Sequence, residues 1–191
     1  MEDEKRFIGI VFLGVVVFSL FLIFENPFAD DKKVSWAGKT DGHESADAMK
    51  ENVNIIVKGE KLSEGENIVL DSEVTNEPAG GYTKSSFKIS EVIKNSEDDR
   101  AISVGNTINI SEAEFYAKNS KTTYTINDYE NMKQGEDYVL YLKVADEGLY
   151  ITAGVTFGKI PINDDETELE ESDANEQVNE VINEAQQEFA E

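Results

Sequence analysis

The chain has 191 residues, 17 basic and 40 acidic side chains, a net charge of -23, one His and no Cys. That length admits one ordinary domain with appendages, and the missing Cys excludes a disulfide scaffold, a thiolate metal site and a thiol nucleophile. A single His excludes a multi-His metal centre, and the acidity argues against a nucleic-acid partner, whose phosphates would be repelled over most of the surface.

The charge is uneven. Residues 163–191 hold 12 acidic and no basic side chains, whereas residues 53–162 hold 18 acidic and 11 basic ones. The excess therefore describes a tail more than a domain.

Residues 1–6 precede an uninterrupted apolar run, Phe7 to Phe24, in which only Gly9, Gly14 and Ser19 depart from the large apolar set. As a helix this run spans roughly 27 Å, close to the ~30 Å hydrocarbon core of a bilayer. A cleaved signal peptide has a shorter apolar region and a small-x-small cleavage site. Here the best such site, Pro27-Phe28-Ala29, carries Pro at its first position. The run reads as a retained transmembrane anchor, 7–24, in contact with membrane lipid. Lys5 and Arg6 abut its N-terminal end, so the positive-inside rule puts residues 1–6 in the cytoplasm and the rest outside the cell membrane.

Residues 25–52 read as a tether, with Pro27, Gly38 and Gly42, scattered charge and no sustained period. Trp36 and Phe28 sit either at the membrane interface or, the reading favoured for Trp36, as isolated apolar residues of a linker. Ser45 to Asn52 suits a short helix leading into the domain.

Residues 53–162 read as β-structure. Val53–Val57 runs towards Leu62, Ile68–Leu70 follows, and Asn76–Gly81 is turn-like. In Tyr82–Ile93 the alternation of Phe87 and Ile89 with Lys88 and Ser90 breaks at Glu91-Val92-Ile93, which predicts a bulge. Ile102 and Val104, then Ile108 and Ile110, come after an acidic turn at Glu97–Asp99. In Tyr138–Val144, Tyr138, Leu140, Leu142 and Val144 face one way and Val139, Tyr141 and Lys143 the other. Asp146-Glu147-Gly148 closes a hairpin onto Leu149, Ile151 and Ala153, and Phe157, Ile160 and Ile162 finish the domain. Short strands, Gly at the turns and no strong intervening helix predict a mainly β fold, a small antiparallel barrel or sandwich.

The segments NIIVKGEKL, GYTKSSFKISEVIKN, VGNTINI, MKQGEDYVLYLK and LYITAGVTFGKIPI together resemble a class of exported, membrane-anchored β-domain proteins of Gram-positive bacteria. The resemblance implies an OB-like barrel, similar in outline to the inhibitor domain of metalloproteinase inhibitors. Its most specific piece is Lys133-x-Gly135-Glu136-x-Tyr138-Val139-Leu140-Tyr141-Leu142, preceded by Tyr129 and Met132. The disulfides and reactive N-terminal Cys of the animal inhibitors are missing, so inhibition by that mechanism is not implied.

Chemical motifs are sparse. His43-Glu44 opens like a zinc-protease helix, but position 47 is Asp47. Gly80–Ser85 lacks the spacing of a phosphate loop, there is no Gly-x-Ser-x-Gly elbow, and Asn163–Glu166 lacks the Gly and spaced Glu of a calcium loop. Glu112 with Glu114, Asp128 with Glu130 and Glu136 with Asp137 are the carboxylate pairs that glycoside cleavage would use, and each equally describes a solvated acidic surface. No catalytic, cofactor or metal residue is therefore nominated.

Two stretches are candidates for a protein partner. One is the connection Glu112–Gln134, with Phe115, Tyr116, Tyr124, Tyr129 and Met132. Its competing and favoured reading is a further strand at Tyr124 and Ile126 with the rings packed over the barrel. The other is the acidic tail, 163–191, where Asp173 and Glu176 cap a helix and Val178, Val181, Ile182, Ala185 and Phe189 form an apolar stripe. Such a helix is marginal alone: it binds a partner, docks on its own domain or, most commonly, frays. The expectation is a single-pass, membrane-anchored extracytoplasmic binding or regulatory module, not an enzyme and without a cofactor. A carboxylate-dependent cell-wall hydrolase and an accessory subunit of a membrane complex are the alternatives.

Overall fold

The computed structural model describes residues 32–39, 41–162 and 173–189. The expected cytoplasmic N-terminus, the anchor and the first part of both tether and tail lie outside the described residues. Among the described residues no helix is long and apolar enough to cross a membrane.

Residues 32–52, expected as tether, belong to the domain. Lys32–Trp36 forms strand β1 and Ala46–Asn52 forms helix α1, with the Ser45 Oγ accepting from the Ala48 N–H at 3.1 Å as an N-cap. β1 is only five residues long and carries little strand signal of its own. It is held by parallel pairing with a strand some 90 positions onward (Lys32↔Thr122 to Trp36↔Ile126), a tertiary effect invisible to local propensity. Beyond β1, the Asn127 amide brackets Gly38, accepting from its N–H at 2.9 Å and donating to its carbonyl at 3.0 Å.

Strands β2 (Ile55–Asp71) and β3 (Pro78–Asn95) form one long antiparallel hairpin. The two short runs expected before Asp71 are thus one continuous strand. Register slips past Ile93, between Ile56↔Lys94 and Val57↔Val92, and again past Ser90, so bulges fall where the alternation broke. Each bulge bends and twists the hairpin, which lets it curl into a closed surface. β4 (Thr107–Glu112) pairs with β3, a hairpin of β5 (Glu114–Ala117) and β6 (Thr122–Ile126) follows, and β7 (Asp137–Val144) pairs back onto β2. β8 (Leu149–Thr152) bridges β7 and β4, and β9 (Lys159–Pro161) continues along the same edge of β7. The fold is mainly β, with a partly closed ring in the order β2-β3-β4-β8-β7-β2 beside a small sheet β1-β6-β5. It is not wholly antiparallel: β4–β8 and β1–β6 are parallel.

The ring encloses Ile55, Val57, Phe87, Ile89, Ile108, Ile110, Leu140 and Leu142. A second core lies outside it, where α1 and helix α2 (Asp173–Phe189) cover Ile56, Val139, Tyr141 and Ile160. β7 is therefore buried on both faces, and its alternating residues divide between the two cores. The tail helix does not fray. Val178, Val181, Ile182 and Ala185 are buried against the domain. The Glu184 carboxylate accepts from the Ala46 N–H at 3.0 Å, Glu188 pairs with Lys50, and Gln186 donates to the Pro161 carbonyl at 2.9 Å. Burying each Val or Ile contributes about 1.5–3 kcal/mol, enough to hold a helix whose uncompensated charge would leave it marginal alone.

Candidate functional site

One end of the ring is closed by a polar network. Lys61 pairs across the β2–β3 ladder with Phe87, Ser85 pairs with Ile110, and Glu112 lies two residues beyond Ile110. Directly opposed residues, and residues two apart on a strand, share a face, so all three polar side chains point inward with the core. The Lys61 Nζ reaches the Glu112 Oε2 at 2.9 Å, and both side chains are fully buried. Glu112 also accepts from the Met132 N–H at 2.5 Å, from the Tyr129 hydroxyl at 3.2 Å and from the Ser85 hydroxyl. Lys61 donates in addition to the Met132 carbonyl at 2.5 Å and to Glu64 at 3.1 Å. Backbone bonds from Lys61 to Glu136 and from Gly135 to Lys61 fasten the same segment. This explains the Lys133-x-Gly135-Glu136 piece: Gly135 takes φ +83, which a side chain would strain, to fold the chain back onto β2.

The network is internally consumed. Burial, and then the Glu112 carboxylate, push the Tyr129 phenol up and keep it protonated as a donor. The Lys159 Nζ stands 4.4 Å from the Tyr129 ring centroid and donates to the Glu130 carbonyl; burial brings its pKa down to about 8. With Lys61 and three further donors on Glu112, this carboxylate is a structural tie. Its nominal partner Glu114 instead meets Lys33 at 3.4 Å.

Above this closed end, the β5–β6 hairpin leans on the far end of the β2–β3 hairpin. A Cβ on Gly81 would stand 2.7 Å from the Phe115 ring and 2.5 Å from the Ile68 carbonyl, so the missing side chain is what lets Phe115 sit down on β3. Phe115 stacks on Tyr124, its direct cross-strand partner, with centroids 5.5 Å apart, and Trp36 of β1 closes the cluster 4.8 Å from Tyr124. The Asn67 Oδ1 accepts from the Tyr116 N–H at 2.6 Å, and the Thr83 hydroxyl donates to the Glu114 carbonyl at 2.6 Å. Between the two hairpins lies a groove of about 560 Å³, lined by Asn67, Val69, Asp71, Glu77, Tyr116 and Lys118 among others. That volume lies within the ~300–1,000 Å³ range of small-molecule sites.

Of the residues nominated from sequence, Tyr116 alone lines this groove. Phe115, Tyr129 and Met132 are buried at 2% exposure or less, in the ring cluster, the ionic network and the interior core. Tyr124 is half-buried, within a strand, as the competing reading had it. Val178 and Ile182 are buried against the domain and Phe189 packs partly on the same core, so this stripe is occupied by its own chain. The groove's other side chains carry no sequence signal, because no local pattern brings residues 65–78 next to 116–120; Trp36 reads as a linker residue in sequence for the same reason, its strand pairing only with residues some 90 positions onward.

His43 is a domain residue at 4% exposure, its ring 5.6 Å from Phe157, with no hydrogen-bond partner on either nitrogen and its carbonyl accepting from Gln177 at 2.9 Å. Burial, then the nearby Lys143 charge, hold its pKa below the ordinary value. Among the described residues no group of three or more His, Asp or Glu side chains is placed to hold a metal ion. Neither a comparison with protein-family models nor one with curated proteins finds a match to the chain.

Proposed function

We propose that the chain is a non-enzymatic binding or regulatory module, held at the outer face of a cell membrane by residues 7–24 and displaying an OB-like barrel. The ring order, with β4 and β8 parallel and the other ring pairings antiparallel, supports that barrel assignment. So does the outward resemblance to exported β-domains of Gram-positive bacteria. The observation that carries the binding reading is the groove: it is open, lined by Tyr116 and side chains free of the ionic network, and its walls are fixed to one another through Asn67 and Phe115. Of the carboxylates that the sequence sets in pairs, Glu112 is taken up by its four partners.

A photo-crosslinking residue at Asn119, on the groove, should trap a binding partner in cells, while the same probe at the exposed Glu180 of α2 should not. Capture at position 180 alone would move the binding surface to the helix. For the topology, the natural absence of Cys lets a single Cys at Val74, 90% exposed, report the side of the membrane. An impermeant maleimide should label it in intact cells, and labelling only after lysis would reverse the orientation.

A further inference from the structure

We infer that the groove between the two hairpins binds a saccharide that carries no anionic group, with a preference for an amine-bearing one. This rests on the binding-module reading and adds the ligand's chemistry. Three carboxylates, among them Asp71 and Glu77, face one ammonium, Lys118, in the lining. That balance repels phosphate and carboxylate ligands and attracts an amine.

The remaining polar lining consists largely of amides, Asn76 and Asn119 beside Asn67, whose Oδ1 is already taken by the Tyr116 N–H and the Thr83 hydroxyl. A side-chain amide offers donors and an acceptor from one plane, and a carboxylate offers two acceptors; both match the alternating donors and acceptors of neighbouring sugar hydroxyls. Tyr116, Val69 and Pro78 add apolar surface for the C–H face of a pyranose ring. All three are only partly covered, so none forms the deep, desolvated pocket that anchors a protein partner. The Asn67 bond to Tyr116 and the seat of Phe115 on Gly81 set the width of the groove before the ligand arrives, which limits the ordering cost of weak, hydroxyl-based recognition.

The test is calorimetric titration of the full chain in zwitterionic nanodiscs with three tetramers: β-1,4-linked glucosamine, its N-acetylated counterpart and a galacturonate. Both uncharged and amine-bearing tetramers should bind, the amine-bearing one about tenfold tighter at low salt and less so at high salt. The galacturonate should not bind. Tyr116→Ala should weaken both by about fivefold or more, and Asp71→Asn with Glu77→Gln should abolish the amine preference while leaving the N-acetylated tetramer bound. Absence of heat with both sugars, equal binding of the galacturonate, or indifference to Tyr116→Ala would each overturn the assignment. If the sugars fail while the Asn119 probe still captures a protein, the saccharide assignment falls and the binding module stands; if both fail, both fall.

Discussion

The Lys61 ammonium and the Glu112 carboxylate meet at 2.9 Å with both side chains wholly withdrawn from solvent, one from β2 and the other from β4. Taking two charges out of water costs several kcal/mol each, and their attraction offsets this only when the remaining donors and lone pairs are also matched. Here they are: Ser85, Tyr129 and Met132 complete the carboxylate, and Met132 and Glu64 complete the ammonium. Removing one partner leaves the other buried and alone, so Lys61→Met should lower stability by about 3–5 kcal/mol. Glu112→Gln keeps acceptor and donor atoms but leaves Lys61 only the half-exposed Glu64 as a counter-charge, and should also destabilise, by less than Lys61→Met. The double variant should lose clearly less than the two added together, measured by urea unfolding. Strict additivity would show that the two charges do not act as a pair.

What could be read from sequence follows the range of the forces involved. The inward and outward sets of Tyr138–Leu142 are local alternation and divide between the two cores as the period requires, whereas Val144 at the strand's end is exposed. The break at Glu91–Ile93 is also local and marks a real bulge. Lys61 shows no such signal: it stands between Glu60 and Leu62 like a surface charge, and only the ladder partner Phe87 turns it inward. Glu112 beside Glu114 suggests paired carboxylates, yet adjacent strands send them to different cations. The stripe on α2 was legible as a helix face, while its occupant was not, because Ala46 and Lys50 lie about 138 positions away.

Gly81 is the hinge point of the groove. An added methyl would collide with the Phe115 ring and with the backbone carbonyl of Ile68, and backbone gives way less readily than a flexible side-chain end. Gly81→Ala should therefore cost about 1–3 kcal/mol by overpacking and lift the β5–β6 hairpin. Hydrogen exchange should show the Tyr116 amide losing protection while β7 keeps its own. Crosslinking from Asn119 should fall in parallel. Unchanged Tyr116 protection would mean that Phe115 is not what seats the hairpin.

His43 gives the domain a pH dependence of defined sign. Its imidazole faces Phe157, with Lys143 nearby disfavouring charge and Asp41 favouring it more weakly, while Gln177 of α2 touches its backbone. The folded pKa is lowered, so the unfolded chain binds the proton more readily between the two values. Stability is then fullest above the ordinary His pKa of about 6.5 and falls as pH drops from there towards the folded value. Asp41 carries a linkage of the same sign in a lower, acidic window, since its hydrogen bond to Lys143 holds its carboxyl below the ordinary value. Urea midpoints should fall between about pH 7.5 and about pH 5.5, and His43→Phe should remove that fall. A fall of equal size in the variant would assign it to other groups.

Helix α2 supplies the outer half of the second core, yet its own sequence gives it little reason to stay folded alone. Val181 is 1% exposed and faces Val53, Ile56, Tyr141 and their neighbours, so Val181→Asp forces a carboxylate into an apolar contact with no cation provided. Lys50→Glu breaks only the half-exposed pair with Glu188 and should cost about 1 kcal/mol or less. Ring strands are joined by hydrogen-bond ladders that do not pass through α2, whereas α2 is joined by side-chain packing and a few single bonds. Val181→Asp should accordingly release the helix before the ring. The amides of 178–189 should then exchange freely while those of β7 remain protected, and a hydrophobic dye should bind the uncovered face of Met49, Ile56 and Val139. Simultaneous loss of protection in β7 would show instead that ring and helix fold as one cooperative unit.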